Sequence, residues 1–334
     1  MDNKITRRRL YDFLSYEWIL MIVIVLVSII AWEIIFTMTR VTLTTGQDFL
    51  FFYDEGIATS NAGQTYTLFN RQDKDGRTVF SYDVLKIGHE ELLEEYNVLQ
   101  DRMSIQEGDV IITHCSEPEQ NDETQRVRAK TIIDTYKTYD YVSLKEDAEA
   151  YLASLLKDGL SASTHDVADY NNLDQAKIEK LFRDRMKGDN RYRSESQKQE
   201  GIALEKERIA DLCFEVKRFR ILLEQGDEYF MMYTRYDQVI SLGVDDGMKE
   251  QYDKDSYRLK GERPYGLKVE ALSGDDKQPV SKYFRKDDAD NAKDIVILVF
   301  DLKEYQPHLQ FEAIAFINAI VENCSNLYDG IVRN

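Results

Sequence analysis

The pattern of apolar positions begins with one long run near the start of the chain. Residues 18–36 are apolar apart from one serine and Glu33. At 1.5 Å per residue, a helix of about 19 residues measures roughly 28 Å, close to the hydrocarbon thickness of a bilayer. Trp18 and Trp32, the chain's two tryptophans, bracket most of the run, and indole rings favour the headgroup level. The pattern therefore predicts a transmembrane helix over 16–39 that anchors the protein in a lipid bilayer.

Basic residues flank this helix unequally. Arg40 alone follows it closely, whereas four basic residues precede it: Lys4, Arg7, Arg8 and Arg9. The positive-inside rule places the more basic side in the cytoplasm. We therefore predict a single-pass protein of a bacterial cell membrane, with 1–15 as a cytoplasmic tail and 40–334 as an extracytoplasmic region.

Two features of this predicted anchor allow another interpretation: whether it is cleaved, and where Glu33 lies. A cleaved signal peptide is the first, but such peptides end in a small-x-small site, and residues 32–36 (WEIIF) lack one. The second concerns Glu33, because an ionisable group within a span often marks function or a partner helix. We predict that Glu33 reaches water at the outer interface, and contact with a partner membrane protein is the alternative.

Beyond the anchor, the first strong pattern combines strand and helix periodicity. Alternation over 79–87 predicts a strand, and Gly108 precedes a second predicted strand over 109–113. A helix over 89–105 is predicted between them from apolar residues at helical spacing: Leu92, Leu93, Tyr96, Leu99 and Met103. Strand, helix and strand with short connections indicate a right-handed parallel crossover.

The middle of the chain, from Ser143 onward, is predicted to be mainly helical. Ser143, with Glu146 three residues later, predicts a capping box, and Gly159 predicts the end of that helix. Residues 160–170 then have the composition of a loop.

Two further helices are predicted after this loop. The first covers 173–187, where interleaved acidic residues among many lysines and arginines favour a solvated face. Residues 188–200 are polar and predict a flexible connection. The second is a long helix over 197–225, with an apolar stripe along one side.

The last part of the chain alternates strands and a helix. Residues 229–234 and 238–242 read as paired strands, and 294–300 as a fully apolar strand. A helix is predicted over 307–323, with Pro307 in its first turn. Alternating β and α units place the extracytoplasmic region in the α/β class.

Composition and charge narrow the function. The formal charge of −18 disfavours binding to nucleic acid or to anionic headgroups. The three cysteines do not describe a disulfide framework, and Cys213 and Cys324 are predicted to pack in the core. The four histidines lack zinc-site spacing, and no phosphate loop or nucleophile elbow is present. We therefore predict no catalytic residues, no metal site, no cofactor and no enzymatic activity.

Two blocks of the sequence resemble a known family. One runs from Leu85 to Thr113 and contains QEGDVII at 106–112, and the other is EAIAFI at 312–317 after an apolar strand. Together they resemble the type II periplasmic solute-binding proteins of bacterial ABC importers. The resemblance implies two lobes (lobe 1 over 40–125 and 265–334, lobe 2 over 126–264), a hinge of crossing strands and a ligand cleft.

The resemblance also implies where a ligand binds. Ligand contacts come from loops after strands, which here contain Tyr53, Asp54, Glu55, His114 and Glu117. The implied partners are ABC permease subunits and a small-molecule or oligosaccharide ligand. The chain departs from the family in lacking a lipid-modified cysteine near the anchor and tryptophan in its extracytoplasmic region, although its 21 tyrosines offer stacking surfaces.

Three functional hypotheses follow. The first is a membrane-anchored, solute-binding-like protein that binds a ligand for an ABC importer or supports the importer. The second is a structural or assembly protein of the cell envelope that acts through protein contacts. The third, an exterior hydrolase, requires two carboxylates facing each other across a cleft at glycosidase separation.

Overall fold

The structure is a computed structural model of the chain. The described residues are 7, 11, 18–39, 48–54, 56–58, 86–92, 99, 101–102, 108–114, 138–187, 190–233, 263–286, 291–300 and 311–331. The strands are β1 (Asp48–Asp54), β2 (Ile57–Ala58), β3 (Lys86–Leu92), β4 (Val110–His114), β5 (Thr138–Tyr139), β6 (Phe230–Tyr233), β7 (Arg263–Lys268), β8 (Arg285–Lys286) and β9 (Ile295–Phe300). The helices are α1 (Trp18–Thr39), α2 (Tyr141–Ser154), α3 (Gln175–Arg185), α4 (Glu195–Leu223) and α5 (Glu312–Cys324).

The predicted apolar helix is confirmed as α1. Its stretch Trp18–Thr37 has a mean hydropathy of 2.9, is long and apolar enough to cross a membrane, and is not covered by the rest of the protein. A membrane anchor and a signal sequence both fit such a helix.

Seven of the described strands form one mixed sheet. The order is β3-β1-β4-β9-β7-β6, and β5 pairs with β9 beside this path. The strands β1, β3 and β4 are parallel, whereas β9 runs antiparallel to β4 and to β7. A separate two-stranded sheet joins β2 to β8. The predicted α/β class is thereby confirmed, with a mixed rather than a purely parallel sheet.

The sheet is buried on both faces at its centre. Every residue of β4 and β9 is buried, as expected for central strands that carry helices or loops on both sides. The larger core lies on the face of Phe49 and Phe51, where it includes the apolar sides of α2, α4 and α5. The smaller core lies on the face of Phe52 and Ile111 and includes Leu99.

Four predicted elements are confirmed with small shifts. They are the strands β4 and β9 and the helices α3 and α4. The start of α4 differs from the predicted flexible connection, because Ser194 and Gln197 form a capping box and the helix begins at Glu195. Similarly, Asp140 caps α2, with its carboxylate accepting a hydrogen bond from the Ser143 backbone N–H at 2.7 Å. Ser143 is therefore inside the helix and is not its cap.

The prediction was wrong at the junction of the first strand and helix. Residues 89–92, predicted to be helical, belong to β3, and helical residues are described only at 99 and 101–102. Strand β3 pairs with β1 over all seven residues, from Asp48↔Lys86 to Asp54↔Leu92. This pairing outweighs the local helical spacing. The predicted strand residues 79–85 lie outside the described residues.

The crossover and the later strands are confirmed in part. Strands β3 and β4 are parallel as predicted, but β1 lies between them. The predicted strand at 229–234 is β6, which pairs with β7; its predicted partner 238–242 lies outside the described residues. The final helix α5 begins at Glu312, and Pro307 also lies outside them.

The two-lobed arrangement is not confirmed. Strand β6 comes from the predicted second lobe, yet it belongs to the same sheet as β1, β4 and β9 from the first. Helix α4, also from the second, contacts α5 from the first. The apolar side chains of these elements form one continuous core.

Candidate functional site

The candidate site lies where the order of the parallel strands reverses. The chain passes from β1 to β3 on one side of β1, and then reaches β4 on the other side. The connections therefore diverge between the carboxyl ends of β1 and β4. In open α/β sheets, the crevice outside such a point is the usual position of a ligand. Asp54 ends β1 and His114 ends β4 at this edge.

Asp54 is buried and hydrogen-bonded. Only 1% of its surface is exposed, and the Thr113 hydroxyl donates a hydrogen bond of 3.1 Å to its Oδ2. The register Tyr53↔Ile112 between β1 and β4 makes Asp54 and Thr113 direct cross-strand neighbours. A buried carboxylate is costly unless polar groups compensate it, so Thr113 holds Asp54 in one orientation.

Aromatic and imidazole rings lie on the other face of the same edge. The ring centroids of Tyr53 and His89 are 6.1 Å apart, and His89 also stacks on Phe51 at 5.7 Å. The alternation of side chains along β4 puts His114 on this face, and His114 is buried.

The chain turns closely past His114 after β1. Gly56 has φ +77°, and a Cβ added to it would lie 3.7 Å from His114 Nε2. Glycine adopts this left-handed conformation without strain, so it permits the turn between β1 and β2. A side chain at position 56 would therefore begin at van der Waals distance from the imidazole.

A short antiparallel pair adds cations near this edge. Ala58 and Ile57 of β2 pair with Arg285 and Lys286 of β8. Lys286 Nζ in turn lies 3.2 Å from Asp294 Oδ2, just before β9 begins opposite His114. The edge thus brings together carboxylate, hydroxyl, imidazole and aromatic groups, of which Asp54, Thr113 and His114 are buried, with cations on the adjacent strand.

The structure places the sequence-predicted ligand residues on two different faces of the sheet. Tyr53, Asp54 and His114 all lie at the carboxyl edge, but Asp54 is on one face of the sheet and the other two are on the opposite face. Glu55 and Glu117 lie outside the described residues. Sequence reasoning missed Thr113 and His89. The alternation of side chains along β3 and β4 places His89 beside Tyr53 and Thr113 beside Asp54 only once the register of these strands with β1 is known.

The residues predicted at the membrane lie on α1. Trp18 is its first residue, and Trp32 and Glu33 lie inside the helix, before its end at Thr39. At 1.5 Å per residue, Glu33 lies about 6 Å from the end of the apolar stretch at Thr37. This short distance agrees with a carboxylate that reaches the interface.

A second polar cluster lies between the helices and is structural. Glu205 is 2% exposed, and its carboxylate pairs with Arg208 at 3.0 Å and with Arg185 at 2.8 Å. Burial favours the neutral acid, but the two guanidinium groups outweigh that effect and lower the pKa of Glu205 to about 2. The cluster joins α3 to α4, and Arg208 also approaches Glu312 of α5 at 3.8 Å.

Two further predictions about side chains are confirmed. Cys213 and Cys324 are free and buried in the core, and burial raises the pKa of each thiol to about 12, so neither is a reactive thiolate. Arg183 of α3 pairs with Glu179 and Glu195 and is 36% exposed, which agrees with a solvated helix face there, whereas Arg185 belongs to the buried cluster around Glu205.

The described residues contain no group of three or more His, Cys, Asp or Glu side chains able to hold a metal ion. No protein-family model matches the chain, and comparison with curated proteins and with solved structures finds no match. Any functional conclusion therefore depends on the chain's own residues and on the arrangement of its strands.

Proposed function

We propose that the protein is a membrane-anchored extracytoplasmic protein that binds a solute at the carboxyl edge of β1 and β4 and supports an ABC importer. One observation carries the proposal: the carboxyl ends of β1 and β4 meet at the strand-order reversal and carry Tyr53, Asp54 and His114. The apolar helix α1, the basic residues before it and the sequence resemblance to solute-binding proteins support it further.

In this proposal the site binds without catalysis. Asp54, held by Thr113 and only 1% exposed, supplies a carboxylate at the end of β1 to which a hydroxyl or ammonium group of the solute donates once it enters the edge. The aromatic ring of Tyr53 offers a stacking surface on the other face. Small molecules and oligosaccharides present both kinds of group.

A ligand screen on the full chain in lipid nanodiscs tests this proposal. We expect one class among sugars, oligosaccharides, peptides and amino acids to raise the melting temperature, because binding to the folded state stabilises it. Asp54→Asn and His114→Gln should reduce that increase. The matched control is Asp158→Asn, since the Asp158 side chain is 92% exposed and lies outside the sheet. A ligand-induced increase that is equal in all variants would remove the site from consideration, and no increase with any class would contradict solute binding.

The second candidate function is assembly of the cell envelope through protein contacts. One observation favours it: the apolar stretch of α1 is not covered by its own domain, so partner helices can reach all its sides, including Glu33. Cross-linking from a photoreactive residue at position 34 separates the two functions. Importer permeases as the main product support solute transport, whereas division or secretion proteins support assembly.

A further inference from the structure

The groups of the candidate site are enclosed in the structure. Asp54, Thr113 and His114 are all buried, although they lie at the edge where the proposed function places a solute. A solute can reach the Asp54 carboxylate or the His114 imidazole only after a neighbouring segment moves. Solute binding at this edge therefore requires a part of the protein that opens.

The segment that contains β2 lies beside His114. Residues 56–58, which we call the strap, come shortly after β1 in the chain. A Cβ added to Gly56 would lie 3.7 Å from His114 Nε2, so the turn into β2 is next to the imidazole. Ile57 packs in the larger core, on the same face of the sheet as His114. The strap therefore contributes to covering the imidazole.

Strand β8 is the element on which the strap docks. Within the described residues, two residue pairs join them, Ile57↔Lys286 and Ala58↔Arg285, and a two-stranded sheet is marginally stable by itself. An ion pair holds β8 beside the start of β9, because Lys286 Nζ lies 3.2 Å from Asp294 Oδ2. Both side chains of this ion pair are partly exposed, so it contributes little free energy.

The strap has a natural turning point at Gly56. Hinges are loop or terminal residues that absorb large changes of backbone dihedral angle, and glycine does so at little steric cost. Gly56 already adopts a φ of +77°. Ile57 opposes the motion, because it is buried and opening would transfer it from the core to water. The closed arrangement is therefore the major state, and an open arrangement is a minor one.

We propose that the strap is a lid over the candidate site. It opens when β2 separates from β8 and turns at Gly56, and it closes again over a solute that has entered beside His114. The inference rests on the proposed function, because it concerns the regulation of that same site. It identifies the segment that moves, and it makes the accessibility of the His114 imidazole the quantity to measure.

Modification of histidines by diethyl pyrocarbonate tests the lid in the full chain in nanodiscs, with each site followed by peptide mass spectrometry. The exposed His165 serves as the internal reference. A disulfide between Ala58→Cys and Arg285→Cys locks the strap on β8, since directly opposite residues of an antiparallel pair have the Cα separation that a disulfide needs. We expect His114 to be modified at least about tenfold more slowly in the oxidised form than in the reduced form of the same protein, with His165 unchanged.

Asp294→Asn provides a second variant, which removes the charge that holds β8 and keeps a side chain that tolerates the φ of +62° at this position. We expect modification of His114 to become about two- to fivefold faster. The matched control is Asp158→Asn, which removes the partner of Lys177 in another exposed ion pair and should leave the rate unchanged. Alkylation of the buried Cys213 should remain slow in every variant, because the strap opens without separation of the helices.

Three results would each overturn the proposal. They are equal rates at His114 in the oxidised and reduced forms, an unchanged rate in Asp294→Asn, and no modification of His114 in the natural chain. The assay contains no solute, so it is separate from the ligand screen. Opening of the strap together with a screen in which no class binds would contradict the proposed function alone.

Discussion

At the scale of single residues, buried polar groups explain where this fold is sensitive. Asp54 and Glu205 are both almost fully buried carboxylates, but their partners differ. Asp54 accepts a hydrogen bond from Thr113 at an edge suited to ligands, whereas Glu205 is enclosed between two guanidinium groups among the helices. The proposed function gives Asp54 a role in binding, whereas the ion pairs of Glu205 give it a role in stability.

The first prediction concerns Glu205→Gln. Removing the carboxylate leaves Arg208 buried without its main counter-charge, and we expect the free energy of unfolding to fall by about 3 to 5 kcal/mol at neutral pH. Urea denaturation measures this loss. Glu207→Gln, an exposed position on the same helix, should change stability by less than about 0.5 kcal/mol.

The same group gives a pH dependence with a definite sign. Because the pKa of Glu205 falls from 4.5 unfolded to about 2 folded, the unfolded state binds its proton first as the pH decreases. The stabilisation by ionised Glu205, about 3 kcal/mol, is present above pH 4.5 and is lost as the pH falls toward 2. Glu205→Gln should flatten the stability curve in this window, and an unchanged slope would contradict the assignment.

The second prediction compares two glycines with positive φ. Gly108 has φ +105°, and an added Cβ would lie 2.2 Å from the Phe52 ring. Gly159 has φ +87° with nothing within 4 Å. Both changes to alanine strain the backbone by about 1 to 3 kcal/mol, but only Gly108→Ala also displaces a core ring. Thermal melting should therefore show a clearly larger loss for Gly108→Ala, and equal losses would mean that Phe52 moves freely.

At the scale of elements, local signals determined the helices better than the strands. The apolar stripe of α4 is visible in the sequence, and the long helix forms as predicted except at its start, where a capping box replaces the predicted flexible connection. The residues of β3 carry helical spacing at Leu92 and beyond, yet they are extended because β1 supplies a full row of hydrogen-bonding partners. Such pairing joins residues 38 positions apart, and no local pattern contains it.

The third prediction concerns the start of α4. The Ser194 hydroxyl accepts a hydrogen bond from the Gln197 backbone N–H at 3.2 Å, and the Ser194 N–H donates to Gln197 Oε1 at 2.9 Å. We expect Ser194→Ala to lower the free energy of unfolding by about 1 kcal/mol, measured by urea denaturation. Ser196→Ala, two residues later and inside the helix, should be neutral or slightly stabilising. Equal effects would argue against the cap.

At the scale of the whole molecule, the main question is the side of the membrane on which the domain lies. Helix α1 could serve as an anchor or as a signal sequence, and the flanking charges predict a cytoplasmic N-terminus. The proposed importer function requires the sheet and its carboxyl edge outside the cytoplasm. Orientation therefore decides whether the binding edge can meet an external solute.

The fourth prediction tests orientation and retention together. Protease added to wall-stripped cells should remove a C-terminal tag and spare an N-terminal tag, and the undigested protein should have the full-length mass. Permeabilised cells should lose both tags. Replacing Arg7, Arg8 and Arg9 with alanine should lower the fraction in this orientation, because the charge bias is reduced. Protection of the C-terminal tag in intact cells would reverse the predicted topology and contradict the proposed function.

The amino-acid sequence by itself determined the apolar helix, the α/β class and the central strands β4 and β9. These features depend on the order of apolar and polar residues within short segments: a continuous apolar run predicts an element buried on both faces, and helical spacing predicts a helix. The resemblance implied that Tyr53, Asp54 and His114 belong to loops after strands, whereas the structure places them in the last residues of β1 and β4. Only the tertiary structure decided that β1 lies between β3 and β4, that Thr113 holds Asp54, and that the lobes predicted from the resemblance share one sheet and one core. Strand order and register depend on contacts between distant segments, so they follow from the packing of the whole chain.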